Sequence, residues 1–125
     1  MKIHILGIGG TFMAGIAILA KQLGHTVTGS DKNLYDPMKS VLIKEKISFT
    51  EEYNPKILDN KYDLVIVGNV MSRGMKIIET LLEKNIKFTS GPQWLYDNVL
   101  SHKKVIAVSG THGKTTTSSL ITWIL

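Results

Sequence analysis

The chain has 125 residues, enough for about one domain, and 43% of them are hydrophobic, which supports a packed core rather than a disordered tail. Its 15 basic and 10 acidic residues give a net charge of +5, but the basic residues are scattered, which gives little support for nucleic-acid binding. The chain has no cysteine, which excludes disulfides and thiolate metal sites and is compatible with a cytoplasmic location.

The N-terminal segment 3–20 carries no charged residue, and hydropathy alone would allow a signal peptide or a membrane helix there. His4 and several glycines interrupt the segment, so we interpret it as a strand, a turn and a helix. We therefore expect neither an export signal nor a membrane anchor.

A β-α-β pattern opens the chain. The sequence predicts a strand at 2–6, a turn at 7–10 and a helix at 11–23 that ends at Gly24. A second strand at 25–29 leads into Ser30 and Asp31, which is the spacing of a nucleotide-binding unit.

The first turn departs from the dinucleotide pattern G-x-G-x-x-G, because the third glycine would fall at Phe12. Gly7, Gly9 and Gly10 still let a diphosphate approach the backbone, and a helix beginning near Thr11 offers unpaired N–H groups. The turn is therefore a candidate diphosphate site.

Two further candidate positions follow strands. Asp31 could accept hydrogen bonds from a ribose or a base, or it could cap a turn. The apolar strand at 63–67 leads into a loop where Asn69 and Ser72 are candidate phosphate or sugar contacts and Arg73 a candidate contact for an anionic group. The alternative for that loop is a solvent-facing segment with a helix cap at Ser72.

The remaining pattern of the first hundred residues alternates short helices and strands. It predicts helices at 37–46 and 75–84, short strands at 47–49 and 86–89, and helix starts near Pro55 and Pro92, with Trp94 facing inward.

A second glycine-rich stretch, 109–117, follows an apolar run at 105–108 that we predict to be a strand, and precedes a predicted helix. This is the context of a phosphate loop, in which Lys114 would contact the terminal phosphates and the Thr115 hydroxyl would bind Mg²⁺. The stretch is shorter than the usual G-x-x-x-x-G-K-[ST], since its first glycine is Gly110 rather than residue 108. The alternative is a glycine turn with an exposed lysine before an ordinary helix.

An ATP-hydrolysing domain needs further strands, one of which carries an acidic residue for the metal, and none can follow within this sequence. We therefore expect the chain to be a fragment of a longer protein.

Three motifs, 8–10, 29–31 and 110–116, together resemble the amino-terminal part of the Mur ligases. The resemblance covers the whole chain. It implies an α/β fold, a Rossmann-like parallel sheet with flanking helices, followed by the first strand, phosphate loop and helix of an ATPase domain. Residues 1–102 would form the UDP-N-acetylmuramate-binding domain, and residues 103–125 the truncated start of the central ATP-binding domain.

The resemblance also implies an activity, an ATP- and Mg²⁺-dependent amide-forming ligase that acts through an acyl phosphate. Segments 7–13, 68–74 and 90–95 look most like the family members that join UDP-N-acetylmuramate to the tripeptide L-Ala-γ-D-Glu-meso-diaminopimelate in peptidoglycan recycling. The implied partners are these two small molecules, with no nucleic acid and no membrane. The alternative within the family is UDP-N-acetylmuramate–L-alanine ligase.

The residue patterns and the resemblance together define two candidate sites. The UDP-sugar site comprises Gly7, Gly9, Gly10, Thr11, Phe12, Met13, Ser30, Asp31, Asn69, Ser72 and Arg73. The ATP site comprises Gly110, Thr111, His112, Gly113, Lys114, Thr115 and Thr116, in which Lys114 is the candidate catalytic residue and Thr115 the candidate metal ligand.

Two other function classes remain open. An NAD-dependent oxidoreductase would explain the β-α-β unit and Asp31, but not the missing third glycine or the second phosphate loop. A module that senses a nucleotide without turnover would fit an isolated fragment. We expect the chain on its own to lack ligase activity.

Overall fold

The computed structural model describes residues 1–125, and a five-stranded, all-parallel sheet organises it. The strands are β1 (Lys2–Leu6), β2 (Thr26–Ser30), β3 (Ser48–Thr50), β4 (Leu64–Val67) and β5 (Phe88–Ser90). Their order across the sheet is β3-β2-β1-β4-β5. The chain thus adds strands first on one side of β1 and then on the other, so the direction of winding reverses between β1 and β4.

Helices connect the strands and follow the sheet. They are α1 (Thr11–Gln22), α2 (Met38–Lys44), α3 (Lys76–Glu83), α4 (Gly91–Leu95) and α5 (Lys114–Ile124). A 3₁₀ helix at Pro55–Asn60 precedes β4, and a π-helical turn at Tyr96–Leu100 extends α4.

Apolar side chains cover both faces of the sheet. On one face, Ile3 and Ile5 of β1 pack with α1 and with the fully buried Trp94 of α4. On the other face, Leu6 and Val65 pack against α3 and the 3₁₀ helix. This burial on both faces explains why the central strands read as continuous apolar runs.

A polar row runs beneath the carboxyl ends of the strands. His4 in β1 has no exposed surface, and its two ring nitrogens lie 2.7 Å from Thr28 Oγ1 and 2.8 Å from Ser30 Oγ. Ser30 Oγ is also hydrogen-bonded to Thr50 Oγ1 at 2.9 Å. The row therefore ties β1, β2 and β3 together through side chains.

The structure confirms the predicted α/β sheet and the order of its elements, and the boundaries in the sheet domain differ from the predicted ones by at most two residues. α1 ends at Gln22, one residue before the predicted end, and Gly24 takes a φ of 93° that stops the helix as expected. No helix in the structure has the length and apolar character needed to cross a membrane.

One predicted element of the fold does not form. The apolar run 105–108 is not a strand, and no strand of the sheet pairs with it. A strand needs a neighbouring strand to pair its N–H and C=O groups, and none of the five strands pairs with this run. The helix predicted after the second glycine-rich stretch does form, as α5.

Candidate functional site

The carboxyl edge of the sheet carries a crevice where the winding reverses. Open parallel sheets bind ligands at such a point, because the loops after the two strands diverge and leave a gap. Here the loop after β1 holds the glycine turn 7–10, and the loop after β4 holds Asn69 and Val70.

Hydrogen bonds from its backbone N–H groups hold the glycine turn against the end of β2. The N–H of Gly7 donates to the Ser30 carbonyl at 2.8 Å, and the N–H of Gly9 donates to Asp31 Oδ2 at 2.7 Å. A side chain at Gly9 would place its Cβ only 2.7 Å from that same oxygen. The turn therefore requires glycine at position 9, because a larger residue would collide with the Asp31 carboxylate.

The turn leads directly into α1, whose capping residue is Gly10. Gly10 has no side chain to accept from the first N–H groups of the helix, so these donors remain available at the crevice. They carry the positive end of the helix dipole, which favours an anionic group.

Asp31 organises the other wall. Asp31 is 7% exposed, and its carboxylate accepts from the N–H of Asn33 at 3.0 Å and from the Tyr53 hydroxyl at 3.3 Å, in addition to Gly9. Burial, together with the negative charge of Asp31, raises the pKa of Tyr53, so this hydroxyl stays protonated and donates. Asp31 thus has the turn-capping role that was one of its two interpretations.

Two adjoining cavities open at this edge and share Gly10, Asp31 and Val70. The first has a volume of about 340 Å³ and is otherwise lined by Gly9, Lys32, Asn33 and Tyr53. We call it the polar cavity. The second has a volume of about 220 Å³ and is otherwise lined by Gly7, Thr11, Phe12, Met13, Asn69 and Pro92. We call it the apolar cavity.

The crevice brings most of the residues predicted for the UDP-sugar together. Those that line one or both cavities are Gly7, Gly9, Gly10, Thr11, Phe12, Met13, Asp31 and Asn69. Their contact with a ligand stays a prediction.

Ser30, Ser72 and Arg73 do not line either cavity. Ser30 is fully buried in the polar row beneath the sheet edge. Arg73 donates to both carboxylate oxygens of Glu79, at 2.8 and 3.2 Å, and this contact lowers the pKa of Glu79 to about 2. α3 begins at Lys76 with Met75 in the capping position, so Ser72 does not cap it.

The cavities also contain residues that the sequence reasoning missed, namely Lys32, Asn33, Tyr53, Val70 and Pro92. Lys32 and Asn33 directly follow Asp31, so the rule that ligands bind beyond strand ends would have found them. Nothing in the local sequence signals Tyr53, which comes from the segment after β3.

The second glycine-rich stretch forms a turn before α5. Gly113 caps this helix with a φ of 73°, a conformation that favours glycine, and Lys114 is the first helical residue. The residues predicted for ATP, 110–116, are all exposed. They thus have the turn-to-helix geometry of an anion site, without the preceding strand.

Comparisons with known proteins agree with this geometry. The family model described as "Mur ligase family, catalytic domain" matches residues 2–103. The chain is 58% identical to the UDP-N-acetylmuramate–L-alanyl-γ-D-glutamyl-meso-2,6-diaminoheptandioate ligase of Escherichia coli K12, over 100% of this chain and 27% of that protein. It is 35% identical to the UDP-N-acetylmuramate–L-alanine ligase of Lactobacillus acidophilus, over 99% of this chain and 28% of that protein.

A solved structure shows the same fold. The murein peptide ligase of Psychrobacter arcticus 273-4 superimposes with a TM-score of 0.94 at 53% identity, over 99% of this chain and 26% of that one. The chain thus spans about a quarter of the length of the relatives it matches. From the family match and these identities, the chain belongs to the Mur ligase family.

Proposed function

We propose that the chain is the N-terminal part of an ATP-dependent ligase. The whole protein would join UDP-N-acetylmuramate to L-Ala-γ-D-Glu-meso-diaminopimelate during peptidoglycan recycling in the cytoplasm. The observation that carries this proposal is the crevice at the winding reversal, where the glycine turn and the free start of α1 separate two cavities. The identity of 58% to a tripeptide ligase, against 35% to an L-alanine ligase, supports the choice of substrate.

Residues 1–102 would bind the UDP-sugar across both cavities. The diphosphate would lie at the glycine turn, because the uncapped N–H groups at the start of α1 favour an anion. The nucleoside would occupy the polar cavity, where Asp31, Asn33 and Tyr53 offer hydrogen-bonding groups and an aromatic ring. The sugar would then extend into the apolar cavity beside Phe12 and Val70.

Residues 103–125 would begin the ATP-binding domain. The turn at Gly113 fits an anion, because no side chain caps α5 and nothing lies within 4 Å of the position of a Gly113 Cβ. Lys114 would stabilise the transferring γ-phosphate, and the Thr115 hydroxyl would help to hold Mg²⁺, which neutralises phosphate charge when bound. The muramate carboxylate would attack that γ-phosphate and displace ADP, which gives an acyl phosphate, and the peptide amine would then displace inorganic phosphate to form the amide.

Calorimetric titration of the purified chain with UDP-N-acetylmuramate tests the binding role, with UDP, NAD and Mg-ATP in parallel. The informative variant is Gly10→Asp. The backbone at Gly10 has a φ of −68°, and the nearest atom to its Cβ position is 3.9 Å away, so the fold accepts a side chain there. Aspartate also caps helices well, so stability should not fall.

We expect Gly10→Asp to weaken UDP-N-acetylmuramate binding by at least about tenfold, because its carboxylate would repel the diphosphate. Gly15→Asp is the matched control, since Gly15 lies on the same helix with nothing within 4 Å of its Cβ position. It should bind like the wild type. NAD binding without UDP-sugar binding would contradict the proposal in favour of an oxidoreductase.

A further inference from the structure

Gly91 is the first residue of α4 and is buried, but its backbone does not demand glycine. It is absent from the glycines with positive φ, so any residue could adopt its conformation. Glycine is required here because there is too little room for a side chain.

A Cβ at Gly91 would meet the start of α1. It would lie 2.8 Å from Met13 Sδ and 2.9 Å from Phe12 Cε1, and both distances are too short for a Cβ contact. Both of these atoms are at the far ends of their side chains. A small residue at Gly91 would therefore move two side chains and leave the backbone in place.

Both of these side chains line the apolar cavity. Met13 is 7% exposed, so the neighbours that bury it limit its movement. Phe12 is 48% exposed, so its ring is freer to move than the Met13 side chain. A side chain at Gly91 would therefore displace mainly the Phe12 ring and change the lining of this cavity.

We propose that Gly91 is a positioning residue that sets the shape of the sugar end of the site, and so determines which sugar a UDP-sugar may carry. This inference rests on the proposed function. It adds that the sugar, rather than the nucleoside, senses the contact between α4 and α1, because the polar cavity contains neither Phe12 nor Met13.

The test compares Gly91→Ala with the wild type in calorimetric titrations with UDP and with UDP-N-acetylmuramate. We expect UDP-N-acetylmuramate to bind about tenfold more weakly and UDP to bind within about twofold of wild type, since only the sugar reaches the displaced side chains. Gly15→Ala, with nothing within 4 Å of its Cβ position, should change neither affinity.

A double-mutant cycle separates positioning from general damage. Phe12→Leu removes the ring that the alanine would strike, so Gly91→Ala should cost less UDP-N-acetylmuramate affinity in that background than in the wild type. An equal loss in both backgrounds would overturn the inference. An equal loss for UDP and UDP-N-acetylmuramate, or no loss for either while the wild type binds both, would overturn it as well.

If Gly91→Ala does not fold, the wild-type chain decides the matter by NMR. The ε-methyl of Met13 lies 3.5 Å from the Gly91 Cβ position, and its signal should shift with UDP-N-acetylmuramate but not with UDP. Equal shifts with the two compounds would overturn the inference. A wild-type chain that binds neither compound would overturn the proposed function, and this inference with it.

Discussion

His4 is a histidine without any exposed surface in the middle of the central strand β1. Its neighbours are neutral, namely Thr28, Ser30 and the ring of Tyr62 at 4.8 Å, so no carboxylate stabilises a charged imidazole. Burial therefore lowers the pKa of His4 from 6.5 to about 4. The neutral ring links β1 to β2 directly below the glycine turn, which makes the site sensitive to acid.

We predict that the stability of the chain depends on pH through His4. Because the folded pKa is below the unfolded one, the stabilisation is fully present above about pH 6.5 and is lost as the pH falls towards about 4. The full effect is about 3 kcal/mol, since a tenfold change in a protonation equilibrium corresponds to about 1.4 kcal/mol. Urea unfolding at several pH values measures it.

His4→Gln should flatten this part of the pH profile, since an amide does not titrate. The control is His102→Gln at an exposed position, which should keep the wild-type profile. A His4→Gln profile as steep as that of the wild type would show that other groups cause the acid sensitivity.

At the scale of single elements, the run 105–108 shows the limit of reading strands from composition. Val105, Ile106 and Val108 have the β-branched character of a strand, yet the segment pairs with nothing and is largely exposed. By contrast, β4 has a similar apolar composition and lies between β1 and β5. The difference is the presence of neighbours.

We predict that hydrogen exchange distinguishes these two runs. The amides of β4 should be strongly protected, because β1 and β5 pair with it on both sides. The amides of 105–108 should exchange almost as fast as an unfolded peptide, since no backbone group of the sheet accepts from them. Protection of 105–108 comparable to that of β4 would mean that the run pairs in solution.

At the scale of the whole molecule, the crevice at the sheet edge is lined on several sides, whereas the residues predicted for ATP face solvent. Lys114 and Thr115 are exposed, and no cluster of three or more acidic or histidine side chains stands ready to hold a metal ion anywhere in the chain. Phosphoryl transfer relies on several positioned charges around the phosphates, more than the exposed Lys114 and Thr115 supply.

We therefore predict no turnover by the chain alone. Incubation with Mg-ATP, UDP-N-acetylmuramate and the tripeptide should release no phosphate above the background hydrolysis of ATP. UDP-N-acetylmuramate binding, measured on the same preparation, would show that the chain is folded and active in binding. Amide product from the purified chain would refute the prediction.

The amino-acid sequence was sufficient for the order of the elements in the sheet domain and for the glycine turn. These features depend on short-range patterns, such as the apolar runs of β1 and β4 and the glycines before α1, and physical rules convert such patterns directly into structure. The sequence also marked Asp31 and Asn69, because both follow strands and therefore lie at one edge of the sheet.

Contacts between distant segments required the folded molecule. Tyr53 reaches Asp31 from beyond β3, Arg73 pairs with Glu79 instead of facing the crevice, and Ser30 turns down into the polar row. The close contact at Gly91 arises only because α4 packs on α1. A local pattern fixes backbone conformation over a few residues, but a side chain's partner depends on packing between elements far apart in the chain, and that packing exists only once the sheet and its helices have assembled.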